Sequence, residues 1–260
     1  MRAEAGQGTD FWLTSSLFVP IMRGTTAWCP TMQLSLALDD DPLLPRVRER
    51  LLARLGPRRD GRRRDPVSQL VRSMLGSKTR DEVSRRVFRE LRRRYPSWDW
   101  LREESPRAVL RVIWPVNLAD AKAEQLPQAL RMIVACTGRL SLDHLADLDE
   151  EAAMQWLRRL PGVGSKIAAA VLNFSTLRKR ALAVDTHLLR IGGRLGLLPP
   201  DADYDAGYEL YMRRLPEAWD AEDLAELHRL LKLLGQTVCT FRAPACGACP
   251  LRDLCPRCGV

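Results

Sequence analysis

The stretch Leu160-Pro161-Gly162-Val163-Gly164-Ser165-Lys166 decides the fold. It places a Gly-x-Gly turn between two runs of apolar residues at helical spacing, from Ala153 to Leu160 and from Ile167 to Phe174. Glycine permits positive φ and close approach by another backbone, and the second helix begins with free N–H groups at the positive end of its dipole. We therefore expect the turn to bind a phosphate of a nucleic-acid backbone through Gly162, Val163, Gly164 and Ser165.

A simpler interpretation of the turn is a corner between two helices where glycine merely fits, and a bare Gly-x-Gly favours that interpretation. The pattern argues against a dinucleotide-binding loop, because no strand pattern precedes the turn and the third glycine is missing.

A lysine and an aspartate near this turn are candidates for chemistry. Lys166 lies in the first turn of the second helix, where the positive end of the dipole disfavours the ammonium form and so favours a nucleophilic amine. Asp185 follows nineteen positions later and precedes a new helical pattern, so it suits an N-cap. Capping is compatible with catalysis, because it holds an ionised carboxylate rigidly. The ordinary alternative for Lys166 is a solvated surface charge.

The overall composition indicates a globular protein with a polyanionic partner. The chain has 260 residues, 46 % of them apolar, and 41 Lys and Arg against 32 Asp and Glu give a net charge of +9. Such an excess suits DNA or RNA, although a merely basic globular protein is the alternative. No apolar run reaches the roughly 18–20 residues of a membrane span, so we expect a cytoplasmic monomer with no membrane partner.

The helical patterns predict an all-α protein. Residues 1–40 show no sustained period and are predicted to be a poorly ordered extension. Asp39 to Pro42 resembles a helix start, and Gly56-Pro57 ends the helix after it. From Pro66 to Leu177 one helical pattern succeeds another, and we expect the run to be broken at Pro96, Pro106, Pro115 and Pro127.

Four cysteines near the end of the chain predict a metal centre. They are Cys239, Cys246, Cys249 and Cys255, spaced C-x6-C-x2-C-x5-C. Four thiolates in so short a loop can hold zinc or an iron–sulfur cluster. The spacing leaves that choice open, because zinc sites usually consist of two separate C-x2-C pairs and this set contains one. Cys258 forms a further C-x2-C with Cys255 and is interpreted as spare.

Taken together, the Leu160–Lys166 stretch, Val184-Asp185-Thr186-His187 and the four cysteines resemble the endonuclease III family, from about Leu43 to Cys255. Its members are DNA glycosylases with a helix-hairpin-helix motif and a [4Fe–4S] cluster. The resemblance implies a two-lobed fold, with a six-helix barrel domain at 66–182 and an iron–sulfur domain built from 41–65 and 183–260. Duplex DNA with damaged bases or abasic sites would lie between the lobes, and a damaged base, typically an oxidised pyrimidine, would be flipped out.

The resemblance also implies roles for single residues. Lys166 would attack C1′ of the sugar and form a Schiff base, β-elimination would nick the strand, and Asp185 would assist. Lysine at position 166 favours a bifunctional glycosylase and AP lyase over a monofunctional mismatch glycosylase. Lys78 stands where the family has a glutamine that fills the gap left by the base, Leu118 matches the wedge residue, and Gln236 replaces a usual basic residue. Because of Lys78 and Gln236, a DNA-binding paralogue with weak or no glycosylase activity is a further alternative.

Overall fold

The computed structural model describes residues 43–59 and 61–260. The predicted extension at 1–40 and the predicted helix start at Asp39 to Pro42 lie outside these residues. Within them the protein is all-α, as predicted, and the only strand-like pairing there is one parallel bridge between Arg64 and Ser175. The helices are α1 Leu43–Leu55, α2 Pro66–Gly76, α3 Asp81–Arg94, α4 Trp98–Glu103, α5 Pro106–Ile113, α6 Ala119–Thr137, α7 Glu150–Arg158, α8 Ser165–Phe174, α9 Thr186–Arg194, α10 Tyr204–Arg214 and α11 Ala221–Thr237, with 3-10 turns at Asp143–Ala146 and Cys246–Ala248.

Aspartate side chains begin many of the helices. In each case the carboxylate accepts a hydrogen bond from a first-turn backbone N–H, which satisfies a group that the helix itself leaves without a partner. The residues that do this are Asp65, Asp149, Asp185, Asp203 and Asp220. These local caps explain why the helix starts could be read from the sequence.

One predicted helix break is wrong. Pro127 lies inside α6, which continues to Thr137. The helix survives because its apolar face is buried on both sides of the proline, at Ala123, Leu126 and Leu130, and this packing outweighs one lost backbone hydrogen bond. The other three prolines fall at or next to helix ends, as predicted.

The buried apolar side chains form two clusters. The first core runs from Val67 to Ala183. The second core joins α1 to the segment from Leu182 to Leu251, and α1 packs against α11. The predicted domain boundaries at 66–182 and at 41–65 with 183–260 stay a prediction.

The segment 181–184 runs between the two cores and positions the start of α9. Ala181 and Ala183 belong to the first core, whereas Leu182 and Val184 belong to the second. This alternation is that of an extended chain, in which successive side chains point to opposite sides. The segment thereby places Asp185 at the boundary between the cores, as the N-cap residue of α9.

Candidate active site

The hairpin between α7 and α8 has the geometry that the sequence predicted. Gly162 has φ +76°, a region that other residues rarely adopt, and a Cβ there would lie 2.4 Å from Oε1 of Gln125. Gly164 is the N-cap residue of α8 and provides no side-chain cap. Both glycines are exposed, whereas the side chains of Val163 and Ser165 are buried. The N–H of Val163 donates to the carbonyl of Leu160 at 3.1 Å, so the predicted phosphate contact through Val163 is wrong. The N–H groups of Gly164, Ser165 and Lys166 have no backbone acceptor among the described residues and are available to an anion.

Lys166 comes directly after this turn and is half-buried in the wall of a cleft. Among the described residues no group accepts a hydrogen bond from its Nζ. Burial lowers the pKa of the Lys166 amine, and the positive charge of Lys232 lowers it further, while Asp185 and Asp81 partly offset both effects. A lowered pKa increases the fraction of free amine at neutral pH, which is the nucleophilic form.

Asp185 is 4 % exposed. Its Oδ1 accepts hydrogen bonds from the backbone N–H of His187 at 2.8 Å and of Leu188 at 3.1 Å. Burial alone would raise the pKa of this carboxyl, but His228, Lys166 and the Leu188 hydrogen bond outweigh it, so that the pKa of Asp185 lies below its ordinary value. With its pKa below the ordinary value, the Asp185 carboxyl is ionised at neutral pH.

The structure brings these two side chains together in one cleft of about 1010 Å³. The carboxylate raises the pKa of the amine and the amine lowers the pKa of the carboxyl. Two walls enclose the cleft. One wall is formed by the α2–α3 loop and the hairpin, and the other by α9, α11 and Thr240-Phe241. The site is therefore open to a large substrate.

The two residues predicted to enter a duplex lie on neighbouring loops. Lys78 and Leu118 both have left-handed backbones, with φ 53° and 57°. Asn117 joins the loops, since its Nδ2 donates to the Lys78 carbonyl at 2.6 Å and its N–H donates to Oγ1 of Thr79 at 3.1 Å. Lys78 is exposed and lines the cleft. Leu118 is 58 % exposed and lies outside the cleft lining.

Sequence reasoning missed Lys122, which supports the same loops. Its side chain is buried, with only 5 % of the residue exposed, and its Nζ donates to the carbonyls of Leu75 and Ser77 and to Oγ1 of Thr79 at 2.6–3.2 Å. Burial, together with the nearby charge of Lys166, lowers the pKa of Lys122 to about 8. A signal was present in the sequence, because position 122 belongs to the i, i+3, i+4, i+7 stripe of α6 that is otherwise apolar.

Lys232 is a second residue that sequence reasoning missed, and it supplies the basic group that was expected at the position of Gln236. Lys232, one helical turn earlier on α11, lies 2.8 Å from the carboxylate of Asp81, and Gln236 donates to the same carboxylate at 3.2 Å. The basic residue is thus present, displaced by one turn. Asp81 begins α3, so the pair connects the two sides of the cleft.

The four predicted cysteine ligands line one small cavity, together with Arg194, Arg252 and Arg257. Arg194 donates to Sγ of Cys239 at 3.2 Å. Burial raises the pKa of the Cys249 and Cys255 thiols, and the other cysteines of the set raise it further. Cys258 is not among the residues that line this cavity.

The four thiols are arranged around one space that a bound group could occupy. Across residues 43–59 and 61–260, no three Cys, His, Asp or Glu side chains are placed to hold a single metal ion. The four thiols instead surround a cavity. Mutually repelling thiolates need a cationic group between them, and an iron–sulfur cluster supplies positively charged iron at spaced positions.

In the part of the chain that the structure describes, no helix is long and apolar enough to cross a membrane.

Comparison with known proteins agrees with this architecture. No protein-family model matches the chain. Endonuclease III of Thermotoga maritima is 29 % identical over 76 % of this chain and 85 % of its own length, and endonuclease III of Sulfolobus acidocaldarius is 26 % identical over 75 % and 83 %. The chain is thus similar to endonuclease III over about three quarters of its length. It spans only 50 % of a matching protein of Arabidopsis thaliana and 62 % of endonuclease III-like protein 1 of Gallus gallus.

Solved structures of the endonuclease III family and of related glycosylases share the fold. A trapped endonuclease III–DNA covalent intermediate superposes with a TM-score of 0.67 at 24 % identity, covering 82 % of this chain and 95 % of that chain. A thermostable thymine-DNA glycosylase superposes with a TM-score of 0.66 at 22 % identity, covering 83 % and 97 %. The predicted all-α helix-hairpin-helix glycosylase fold is confirmed.

Proposed function

We propose that this protein is a base-excision DNA glycosylase with AP lyase activity. It removes damaged bases, oxidised pyrimidines in particular, from duplex DNA and nicks the strand by β-elimination. The observation that carries this proposal is the pair formed by the Lys166 amine, with its lowered pKa, and the buried ionised carboxylate of Asp185, at one cleft between two cores.

The chemistry rests on this pair. The free amine of Lys166 attacks C1′ of the sugar, and the glycosidic bond breaks with its electron pair leaving on the base. The attached nitrogen gives up one proton, which the departing base takes up. The ring oxygen O4′ accepts a proton from water as the C1′–O4′ bond breaks, which gives a protonated C1′=NH⁺ Schiff base. Removal of a C2′ proton then breaks the C3′–O bond, and water hydrolyses the imine to free the lysine. Asp185, fixed by the α9 N-terminus, stabilises the positive charge that develops on the sugar.

The rest of the cleft suits a duplex. The N–H groups of Gly164, Ser165 and Lys166 hold one phosphate without reading the base. Lys78 occupies the gap that the extruded base leaves, and Leu118 separates the neighbouring bases. Phe241, which is 77 % exposed at the edge of the cleft, is placed to stack on an unpaired base.

Cys239, Cys246, Cys249 and Cys255 would hold a [4Fe–4S] cluster. Bound there, the cluster would cross-link the loop from Cys239 to Cys255. Phe241 of that loop lines the cleft, and Arg242 follows it in the sequence, so a fixed loop would hold these residues in place for DNA contacts.

Borohydride trapping on duplex DNA with an abasic site tests the proposed activity. The wild type is expected to form a covalent adduct, and Lys166→Ala is expected to form none. Lys166→Arg is the matched variant, since it keeps the positive charge but cannot form the imine, so it should bind DNA without an adduct. A persistent adduct in Lys166→Arg would assign the nucleophile to another amine. Binding without any wild-type adduct would instead favour the non-catalytic paralogue, and base release without strand cleavage the monofunctional glycosylase.

Absorption spectroscopy and metal analysis test the cluster. The purified protein should be brown, absorb near ~400 nm and contain iron. Each ligand cysteine changed to serine should remove the band, whereas Cys258→Ser should retain it. Stoichiometric zinc with no visible absorption would contradict the assignment.

A further inference from the structure

A second cavity, here called the inner cavity, adjoins the Lys166–Asp185 pair. Its volume is about 280 Å³, and it shares Lys166 and Asp185 with the cleft as common wall residues. It extends along α8 to Phe174, between α2 and α11. Pockets for drug-sized ligands measure about 300–1,000 Å³, so this inner cavity suits a single base. A base released from the sugar that Lys166 attacks would enter it directly.

The tautomer of His228 is fixed by a backbone hydrogen bond, and this makes its Nε2 a hydrogen-bond acceptor in the inner cavity. His228 Nδ1 lies 2.7 Å from the carbonyl oxygen of Ala183. A carbonyl oxygen can only accept, so Nδ1 carries the proton and Nε2 of the neutral ring is an acceptor. Among the described residues Nε2 has no hydrogen-bond partner, and His228 lines the cavity. The ring is further held by Phe174, whose centroid is 5.1 Å away.

One face of α2 provides the complementary groups. Gln69, Arg72 and Ser73 lie at positions i, i+3 and i+4 and all line the inner cavity. Gln69 uses its Nε2 to donate to Oγ of Ser73 at 3.0 Å, which leaves its Oε1 as a second acceptor and the Ser73 hydroxyl proton as a donor. Arg72 spends one N–H on Ser84 at 3.1 Å and keeps others.

The charges around the inner cavity favour an anionic leaving group. Arg63 and Arg229 are paired with Glu222, and Lys232 is paired with Asp81. Seven basic side chains line the cavity against the two carboxylates of Asp81 and Asp185. Arg72 has no ion-pair partner among the described residues, so the cavity is electropositive overall. A base that departs as an anion with charge on two carbonyl oxygens is stabilised there.

An imide edge, in which an N3–H lies between two carbonyl groups, needs one acceptor flanked by donors. The cavity offers His228 Nε2 or Gln69 Oε1 as the acceptor, and Arg72 and Ser73 as donors. Uracil- and thymine-type bases have this edge. Cytosine- and adenine-type bases present a bare ring nitrogen at the same position, which would face an acceptor. We propose that the inner cavity receives the extruded base and that His228 and Gln69 make it selective for imide pyrimidines over bases of the cytosine and adenine type. This inference rests on the proposed glycosylase function.

The test uses two lesions that differ mainly at this edge, 5-hydroxyuracil and 5-hydroxycytosine, each in the same duplex. Single-turnover base release by the full-length wild type should be at least about tenfold faster for 5-hydroxyuracil, the discrimination expected when a buried acceptor is left without its donor. His228→Asn keeps a donor for the Ala183 carbonyl but removes the Nε2 acceptor, and Gln69→Leu removes the amide. Both should lower the ratio to within about threefold.

Gln128→Leu is the matched control, because it makes the same change on the exposed face of α6, and it should keep the wild-type ratio. Equal wild-type rates for the two lesions, or an unchanged ratio in both His228→Asn and Gln69→Leu, would overturn the proposal. If His228→Asn does not fold, the rate ratio of the two lesions in Gln69→Leu decides. Gln69→Glu keeps an acceptor at this position and should retain the preference for 5-hydroxyuracil. Cleavage of an abasic duplex is measured alongside: its absence in the wild type sinks the proposed function, whereas cleavage without imide preference sinks only this inference.

Discussion

Asp185 combines a structural and a chemical role that two substitutions separate. Asp185→Asn keeps the oxygen that accepts from His187 and Leu188, so the free energy of unfolding should change by less than about 0.5 kcal/mol, whereas Asp185→Ala should lose about 1 kcal/mol with the cap. Both remove the charge that faces Lys166, and single-turnover base release should fall by about 10²-fold or more. An Asn variant with wild-type rates would show that the carboxylate serves only as a cap.

Lys122 predicts a pH dependence of stability. The folded pKa is about 8, against an ordinary value of 10.5. Between these values the unfolded chain holds a proton that the folded protein has released, so the folded state gains stability as the pH rises from about 8 to 10.5. Below about pH 8 the folded protein bears the full cost of burying the charged Lys122 amine.

Urea unfolding of the wild type and of Lys122→Met measures this effect. As the pH rises from about 8 to 10.5, the free energy of unfolding of the wild type should increase relative to that of Lys122→Met. The expected change is on the order of 3 kcal/mol. At neutral pH Lys122→Met should already lose about 1–3 kcal/mol, because two carbonyls and Oγ1 of Thr79 lose their donor. A pH-independent difference would show that Lys122 titrates normally.

Substitutions of the two glycines in the hairpin between α7 and α8 should affect different properties, stability at Gly162 and DNA affinity at Gly164. Gly162→Ala should destabilise the protein by about 1–2 kcal/mol, because of its positive φ and the contact with Gln125. Gly164→Ala meets no atom within 4 Å and should leave the unfolding midpoint in place, yet it should weaken binding to an abasic duplex by about three- to tenfold, because its methyl group occupies the phosphate position. Thermal unfolding and fluorescence anisotropy separate the two, and unchanged affinity in Gly164→Ala would place the phosphate elsewhere.

Helices were predictable from the sequence wherever a local signal was decisive. Asp65 and Asp149 cap their helices by accepting hydrogen bonds from N–H groups three residues later. The start of each helix is therefore specified by the neighbouring sequence alone. Pro127 shows the limit. Its tendency to end a helix is equally local, but the packing of α6 against the first core is not, and that packing prevailed.

The ion pair between Asp81 and Lys232 couples the two sides of the molecule and tunes Lys166. Lys232 lowers the pKa of the Lys166 amine and Asp81 raises it. Lys232→Gln should therefore move the acid limb of the borohydride-trapping rate to higher pH, and Asp81→Asn should move it to lower pH. Lys179→Gln, which makes the same charge change away from the cleft, should leave the limb in place. Shifts in the same direction for the first two variants would refute this coupling.

The sequence alone determined the all-α class, the hairpin, the candidate pair Lys166 and Asp185 and the four cysteines. Each is encoded by spacing or capping within a short stretch, and helical geometry then fixes where the side chains point. Tertiary structure decided the rest. The inner cavity joins α2, α8 and α11, and the contact of Lys232 with Asp81 bridges 151 positions. Such contacts depend on how finished helices pack, and periodicity specifies which face of a helix is buried but not which distant side chain it meets.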